Sequence, residues 1–190
     1  MSDGATPLDA NEMAGLIPRY ITAQGELNAL EQSNILVARA WLSRRKHRQV
    51  LDDAFVKDLH ARMFERVWRW AGSYRQSDKS IGVPWQQVPV EIRKLCDDAR
   101  YWIDHHSYNW DELGARFHHR LVLIHAFANG NGRHARLMTD ALLRAHDRPA
   151  FTWGRNEPID AGGATRAEYI SALREADSKK LDRLIAFVRS

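Results

Sequence analysis

The sequence predicts an all-α domain interrupted by one extended segment. Apolar residues recur at three- and four-residue steps over most of the chain, the signature of amphipathic helices. No series of strand-like runs alternates with those helices, which excludes a parallel α/β sheet. One stretch, from Ser73 to Trp85, loses the helical period and carries Gly82 and Pro84. It reads as a short β-hairpin flap.

Residues Met1 to Gly15 read as a loose polar lead-in, with Gly4 and Pro7 opposing regular structure. A helix is expected from Gly25 to Arg48, striped by Leu27, Leu30, Asn34, Ile35, Ala38, Trp41 and Leu42. Phe55, Leu59, Met63, Val67 and Trp70 predict a second from Asp52 to Trp70, stopped by Ala71-Gly72. Beyond the flap, helices are expected over Val90–Asp104, over Trp110–His125, and from Gly132 to just before Arg148-Pro149. Gly162-Gly163 marks a break, after which Thr165 is the expected cap of a helix through Tyr169 and Ala176. Leu181 to Val188 closes the chain as an amphipathic turn or two.

Composition narrows the function classes. The 190 residues suit one ordinary domain. With 44% hydrophobic and 27% charged residues they exclude a disordered or collagen-like chain. No apolar run reaches the ~20 residues of a membrane span, and the N-terminus lacks the basic and apolar regions of a secretory signal. A single cysteine, Cys96, forms no internal disulfide. The expectation is a soluble, cytoplasmic protein without membrane partners. A net charge of +4 is small for this length. The basic run Arg44-Arg45-Lys46-His47-Arg48 suits a helix C-terminus, where cations complement the dipole, better than a nucleic-acid surface.

Chemistry concentrates in the segment Leu123-Ile-His-Ala-Phe-Ala-Asn-Gly-Asn-Gly-Arg-His-Ala-Arg136. It reads as a helix end, a Gly-rich turn and a new helix start. Gly130, Asn131 and Gly132 permit a nest of backbone N–H groups, to which a helix N-terminus adds its own unpaired donors. Arg133 and Arg136, three residues apart, share one face of the first turn and suit neighbouring phosphates. His125 precedes the turn as the side chain best able to take a proton near neutral pH. Phe127, apolar in polar surroundings, is the expected anchor of the loop.

Other readings of these residues fail on context. Gly130 to Ala135 fits a G-x-G-x-x-A dinucleotide fingerprint, but no βαβ unit surrounds it. A P-loop sequence is absent. The histidines at 105, 106, 118, 119 and 125 lack the spacing of a zinc site.

The run from His125 to Arg136 resembles the Fic/Doc family signature, H-P-F-x-D/E-G-N-G-R-x-x-R. Phe64 to Arg75 resembles the family's approach to its flap, and Glu168–Asp177 and Leu184–Val188 resemble its closing helices, so the likeness covers residues 50–190. The chain is most similar to the small members labelled mobile mystery protein B, which share a segment like Glu26–Ile35. The resemblance implies a Fic-type helical domain at 49–190 behind a lead-in at 1–24 and an N-terminal helix at 25–48.

It also implies transfer of AMP from ATP, with Mg2+, to a Ser, Thr or Tyr hydroxyl of a target protein. Positions carried over make His125 the general base and Phe127 the loop anchor. Gly130, Asn131, Gly132, Arg133 and Arg136 would hold the nucleotide, and the flap Ser77, Asp78, Lys79, Ser80, Ile81 and Gly82 would dock the target. Ala126 stands where the signature has proline. Asn129 stands where it has an acidic residue, leaving only an amide oxygen for the metal. Two alternatives stay open: transfer of another phosphate-linked group, and a non-catalytic module that binds nucleotide or partner. The resemblance also implies control by a helix whose glutamate pairs the second arginine, here Arg136, with an antitoxin on a separate chain as the alternative. Glu31 and Glu26 are the candidate glutamates. Glu26 follows Thr22 at the spacing of S/T-x-x-x-E-G/N, though Leu27 departs from it.

Overall fold

The computed structural model describes residues 8–21, 23–44, 49–154 and 163–190. Eight α-helices account for the regular structure among them: α1 Ala10–Met13, α2 Gln24–Arg44, α3 Asp53–Phe64, α4 Val88–Asp104, α5 Trp110–Ile124, α6 Asn131–Ala145, α7 Gly163–Asp177 and α8 Asp182–Val188. A 3-10 turn at Trp85–Gln87 leads into α4.

The hairpin of α5 and α6 is central. On one side Leu113, Phe117, Leu121, Leu137 and Met138 join α2, α3 and α4 in the larger apolar core. On the other, Ala115 and Leu143 pack with Phe151, Trp153, Tyr169, Leu184 and Phe187 in a smaller one. Burial on both faces fixes the α5–α6 turn, and that turn contains the residues of interest.

Local chemistry sets the boundaries. The Asp52 side chain caps α3 by accepting from the Phe55 N–H (2.7 Å), and Asn109 caps α5 through the Glu112 N–H (2.9 Å). The expected second helix stops early, at Phe64. Backbone groups that would have extended it pair instead with the N-terminal segment, Val67 O with the Ile17 N–H and the Arg69 N–H with Gly15 O (both 2.9 Å).

The described part of the lead-in is structured by its own contacts. Asp9 and Glu12 form a reciprocal capping box on α1, and the Trp70 indole donates to Glu12 O (3.0 Å). Thr165 lies inside α7 rather than at its cap, since the helix begins at Gly163. The flap carries no strand: among the described residues the isolated bridge Leu16–Trp68 is the only β pairing. Bends replace the expected hairpin, closed by the Asp78 carboxylate accepting from the Trp85 N–H (2.9 Å). The basic run at 45–48 and the Gly162 half of the glycine pair lie outside the described residues.

Candidate active site

His125 ends α5 in the left-handed conformation, φ 53 and ψ 58. A residue with a Cβ gives up about 1–2 kcal/mol there, so the surroundings must hold it. Arg75 does so. Its Nε donates to the His125 carbonyl (2.6 Å), and its main-chain N–H donates to Ala126 O (3.0 Å). The imidazole is buried and its pKa falls to about 4, first through burial and then through the charges of Arg75 and Lys79. It is therefore neutral at physiological pH and able to accept a proton.

The loop after His125 is closed from within. Asn131 accepts from the Phe127 N–H (2.9 Å) and donates to the Phe127 carbonyl (2.8 Å). Its side chain is thus spent on the turn. Phe127 is fully buried and stacks on His60 with ring centroids 3.7 Å apart. His60 accepts from the Gly72 N–H at Nδ1 (3.0 Å), so its hydrogen is on Nε2, which donates to Asn129 O (3.1 Å). Gly130 has φ +77, and a Cβ there would lie 2.5 Å from the Phe64 ring. Only glycine fits. At Gly132 a Cβ would meet the Tyr169 hydroxyl at 3.7 Å, ordinary contact, so the fold leaves that space open by choice of residue rather than by strain.

Arg133 leaves the first turn of α6, where a helix presents N–H groups without intrahelical partners, and Arg136 leaves the next. Glu31 of α2 reaches Arg133: Oε2 accepts from Nη1 at 2.6 Å, across 102 residues of chain. Its other oxygen accepts from the Trp68 indole (2.6 Å), and Glu31 is only 5% exposed. The expected pairing of this glutamate with Arg136 is corrected: Arg133 points toward α2, whereas Arg136 turns toward α7 and lies over the Tyr169 ring at 5.7 Å. Glu26 is exposed in the first turn of α2, beside a shallow groove with Tyr20, Leu30 and Ser33.

Protein ligands for a divalent cation are scarce. Asn129 Oδ1 accepts from the Gly130 N–H (2.6 Å) and from Arg133 (3.4 Å). Among the described residues no three His, Cys, Asp or Glu side chains converge on a metal position. These residues do not form a protein-held magnesium site.

The flap covers His125. The Val83 N–H donates to Ile124 O (3.4 Å), and a Cβ on Gly82, at φ +109, would come within 2.8 Å of His125 Cβ. Ser77 and Lys79 face α1, bonded to Asp9 (3.3 Å) and ion-paired with Glu12. Ser80 and Ile81 form the exposed outer edge. Sequence reasoning had not singled out His60, Trp68 or Arg75. The run Trp68-Arg-Trp-Ala-Gly-Ser-Tyr-Arg75 held two of them, Trp68 and Arg75, in view, but spacing does not tell a buried cation from a solvated one.

Residues 50–143 match the model of the Fic/DOC family. A protein adenylyltransferase fic-1 from Caenorhabditis briggsae is 28% identical over 151 residues, 77% of this chain and 28% of its own length. A protein adenylyltransferase Fic from Nematostella vectensis is 28% identical over 62% of this chain and 26% of its own. The chain thus spans about a quarter of the length of these curated relatives. The N-terminal FIC domain of Bep8 from Bartonella sp. 1-1C superposes with TM-score 0.71 at 15% identity, over 91% of this chain and 89% of that one. BepC from Bartonella tribocorum, solved with AMPPNP, gives 0.69 at 16%, over 95% and 97%. No described helix is long and apolar enough to cross a membrane. The matched segment includes the loop from His125 to Arg136, and the likeness in fold extends over 91–95% of the chain: residues 50–143 are a match to the Fic/DOC family, with α2 and its Glu31 ahead of them.

Proposed function

We propose that this protein is an adenylyltransferase that moves AMP from ATP onto a hydroxyl side chain of a target protein. The observation that carries this reading is the single turn that sets a neutral, buried His125 beside a helix N-terminus bearing Arg133 and Arg136. In the reaction the target hydroxyl oxygen attacks the α-phosphorus, its proton passes to His125, and pyrophosphate leaves. The arginines and first-turn N–H groups of α6 neutralise the polyphosphate. Residues 49–190 would form the catalytic unit and residues 25–48 its regulator. The adenylyltransferases among the relatives support the chemistry by their names.

Glu31 is the inhibitory group in this reading. Its carboxylate occupies the Arg133 guanidinium that a phosphate would need. We place inhibition within the chain, rather than in a separate antitoxin, because that ion pair is made by the chain's own α2. The test uses labelled ATP with a cell lysate, comparing wild type, Glu31→Gly and Glu31→Gly/His125→Ala. Glu31→Gly should label protein more strongly, and loss of His125 should cut labelling by roughly 10²–10⁴-fold. Equal labelling with and without His125 would sink the assignment. ATP labelled at the α or at the γ position separates AMP transfer from phosphoryl transfer.

One observation favours a second reading, a nucleotide-binding module without transfer. Asn129 supplies no carboxylate and is tied into its own loop. Binding of ATP by Glu31→Gly with no labelled protein, itself included, would select it.

A further inference from the structure

We propose that Arg75 is a positioning residue that sets the register of the flap against His125. It touches no reacting atom and acts through three main-chain carbonyls. Nε donates to His125 O (2.6 Å), Nη1 to Ser77 O (2.8 Å), and Nη2 to Val83 O. One guanidinium thereby ties together the end of α5, the start of the flap and its return. Its side chain is fully buried (0% exposed), and the acid nearest it, Asp78 at 3.7 Å, is 68% exposed.

Burying a cation beside so wet a counter-ion is costly unless its donors are satisfied. Here the planar fork of donors answers three carbonyls that share no regular secondary structure. Two main-chain bonds flank the same place, from the Arg75 N–H to Ala126 O and from the Val83 N–H to Ile124 O. Gly82 closes the arrangement, since a Cβ there would collide with Arg75 Nη2 and His125 Cβ alike, each at 2.8 Å. The flap therefore sits at one height over the imidazole, and that height is fixed by Arg75.

The functional consequence rests on the adenylyltransferase reading. A target segment lying along the exposed edge at Ser80 and Ile81 would have its hydroxyl placed relative to His125 by this clamp. An error of about 1 Å can cost on the order of 10²-fold in rate. Arg133 and Arg136 lie on α6, outside the clamp, so nucleotide affinity should be indifferent to it. The groups facing His125 are Arg75 and Lys79, and those facing Arg75 are Asp78 and Glu12.

The experiment uses the full chain in the Glu31→Gly background, comparing Arg75, Arg75→Lys and Arg75→Gln. Amide exchange at the Val83 N–H is expected to rise about tenfold or more in both variants, because neither rebuilds the three-way fork. ATP affinity should stay within about twofold while target labelling falls roughly 10- to 100-fold. The His125 titration, followed by NMR of labelled histidine, should rise in Arg75→Gln and stay near the parent in Arg75→Lys, which keeps the charge. A structural role alone would not divide the two variants in that way. Gly82→Ala provides a further route if Arg75→Gln fails to fold, since it displaces the flap with Arg75 in place. It should reproduce the loss of labelling with ATP binding retained. Parent-like exchange at Val83 together with a parent-like titration in Arg75→Gln would overturn the proposal. Should the Glu31→Gly parent label nothing, the adenylyltransferase reading fails, while exchange and titration still decide the clamp.

Discussion

Arg133 and Arg136 leave one turn of one helix, three residues apart, yet they belong to different halves of the molecule. Arg133 faces the larger core, lies 5.0 Å over the Phe64 ring and meets Glu31 from α2. Arg136 faces the smaller core and is backed by Tyr169, whose hydroxyl is hydrogen-bonded to His118 (2.9 Å). His118 is neutral there, its pKa pushed down to about 3 by burial and by the Arg136 charge. One arginine is thus set against a carboxylate on a separate helix, and the other against a ring of the smaller core. Identical side chains on one helical turn can carry separate tasks when the turn lies between two cores.

Acid should loosen both halves, the Arg136 half through His118 and the larger core through His60 and His134. His118, His125 and His134 have pKa values depressed to about 3, 4 and 4, and His60 lies well below its usual value, each mainly through burial. Between pH 6.5 and 4 the unfolded chain binds protons at His118, His125 and His134 and the folded chain largely does not, and His60 adds in the same direction. Stability therefore falls as pH falls, by roughly 1 kcal/mol per pH unit for each histidine. Asp140, pushed up to about 6, opposes the trend, one group against four. Tm measured from pH 7 to 4.5 should drop steeply, and His118→Gln should flatten the curve. A Tm that does not change with pH would mean that these imidazoles stay solvated.

Nucleotide affinity separates the arginines directly. Each charge-assisted bond to phosphate is worth about 1.5–3 kcal/mol, so Arg136→Ala should weaken ATP binding roughly 10- to 100-fold by calorimetry. Arg133→Ala should cost less in the wild type, because Glu31 already competes for that side chain. Placed on Glu31→Gly, the two losses should converge. Equal losses in both backgrounds would show that Glu31 does not compete with the ligand.

The smallest expected effects test what holds Glu31. Glu31→Gly should tighten ATP binding about tenfold, the equivalent of one modest ion pair. Trp68→Phe keeps a ring but removes the indole donor that orients the carboxylate. It should move affinity in the same direction by only a few-fold, and lower Tm as well because the smaller ring leaves space in the core. A Trp68→Phe protein as inhibited as wild type would show that Arg133 alone orients Glu31.

Whatever depends on neighbours along the chain was legible in the order of residues. Three- and four-residue periodicity placed α2, α4, α5, α6 and α8 to within a few residues. Gly130 and the arginine spacing marked a turn opening onto a helix, because left-handed backbone and shared helical faces are local properties. What required partners far apart in sequence was decided only by the tertiary structure. Ile17 and Gly15 claim the backbone that would have carried α3 to Trp70, a competition invisible in a hydrophobic stripe. The Asp9–Glu12 capping box was readable in principle, but it is docked by Trp70 from 58 residues away. The choice of Arg133 over Arg136 for Glu31 depends on which core each side of α6 faces. Periodicity marks a buried face without naming what buries it. Arg75 makes the point most sharply: a guanidinium is expected in water, and only three converging carbonyls from separate segments give it a reason to be buried.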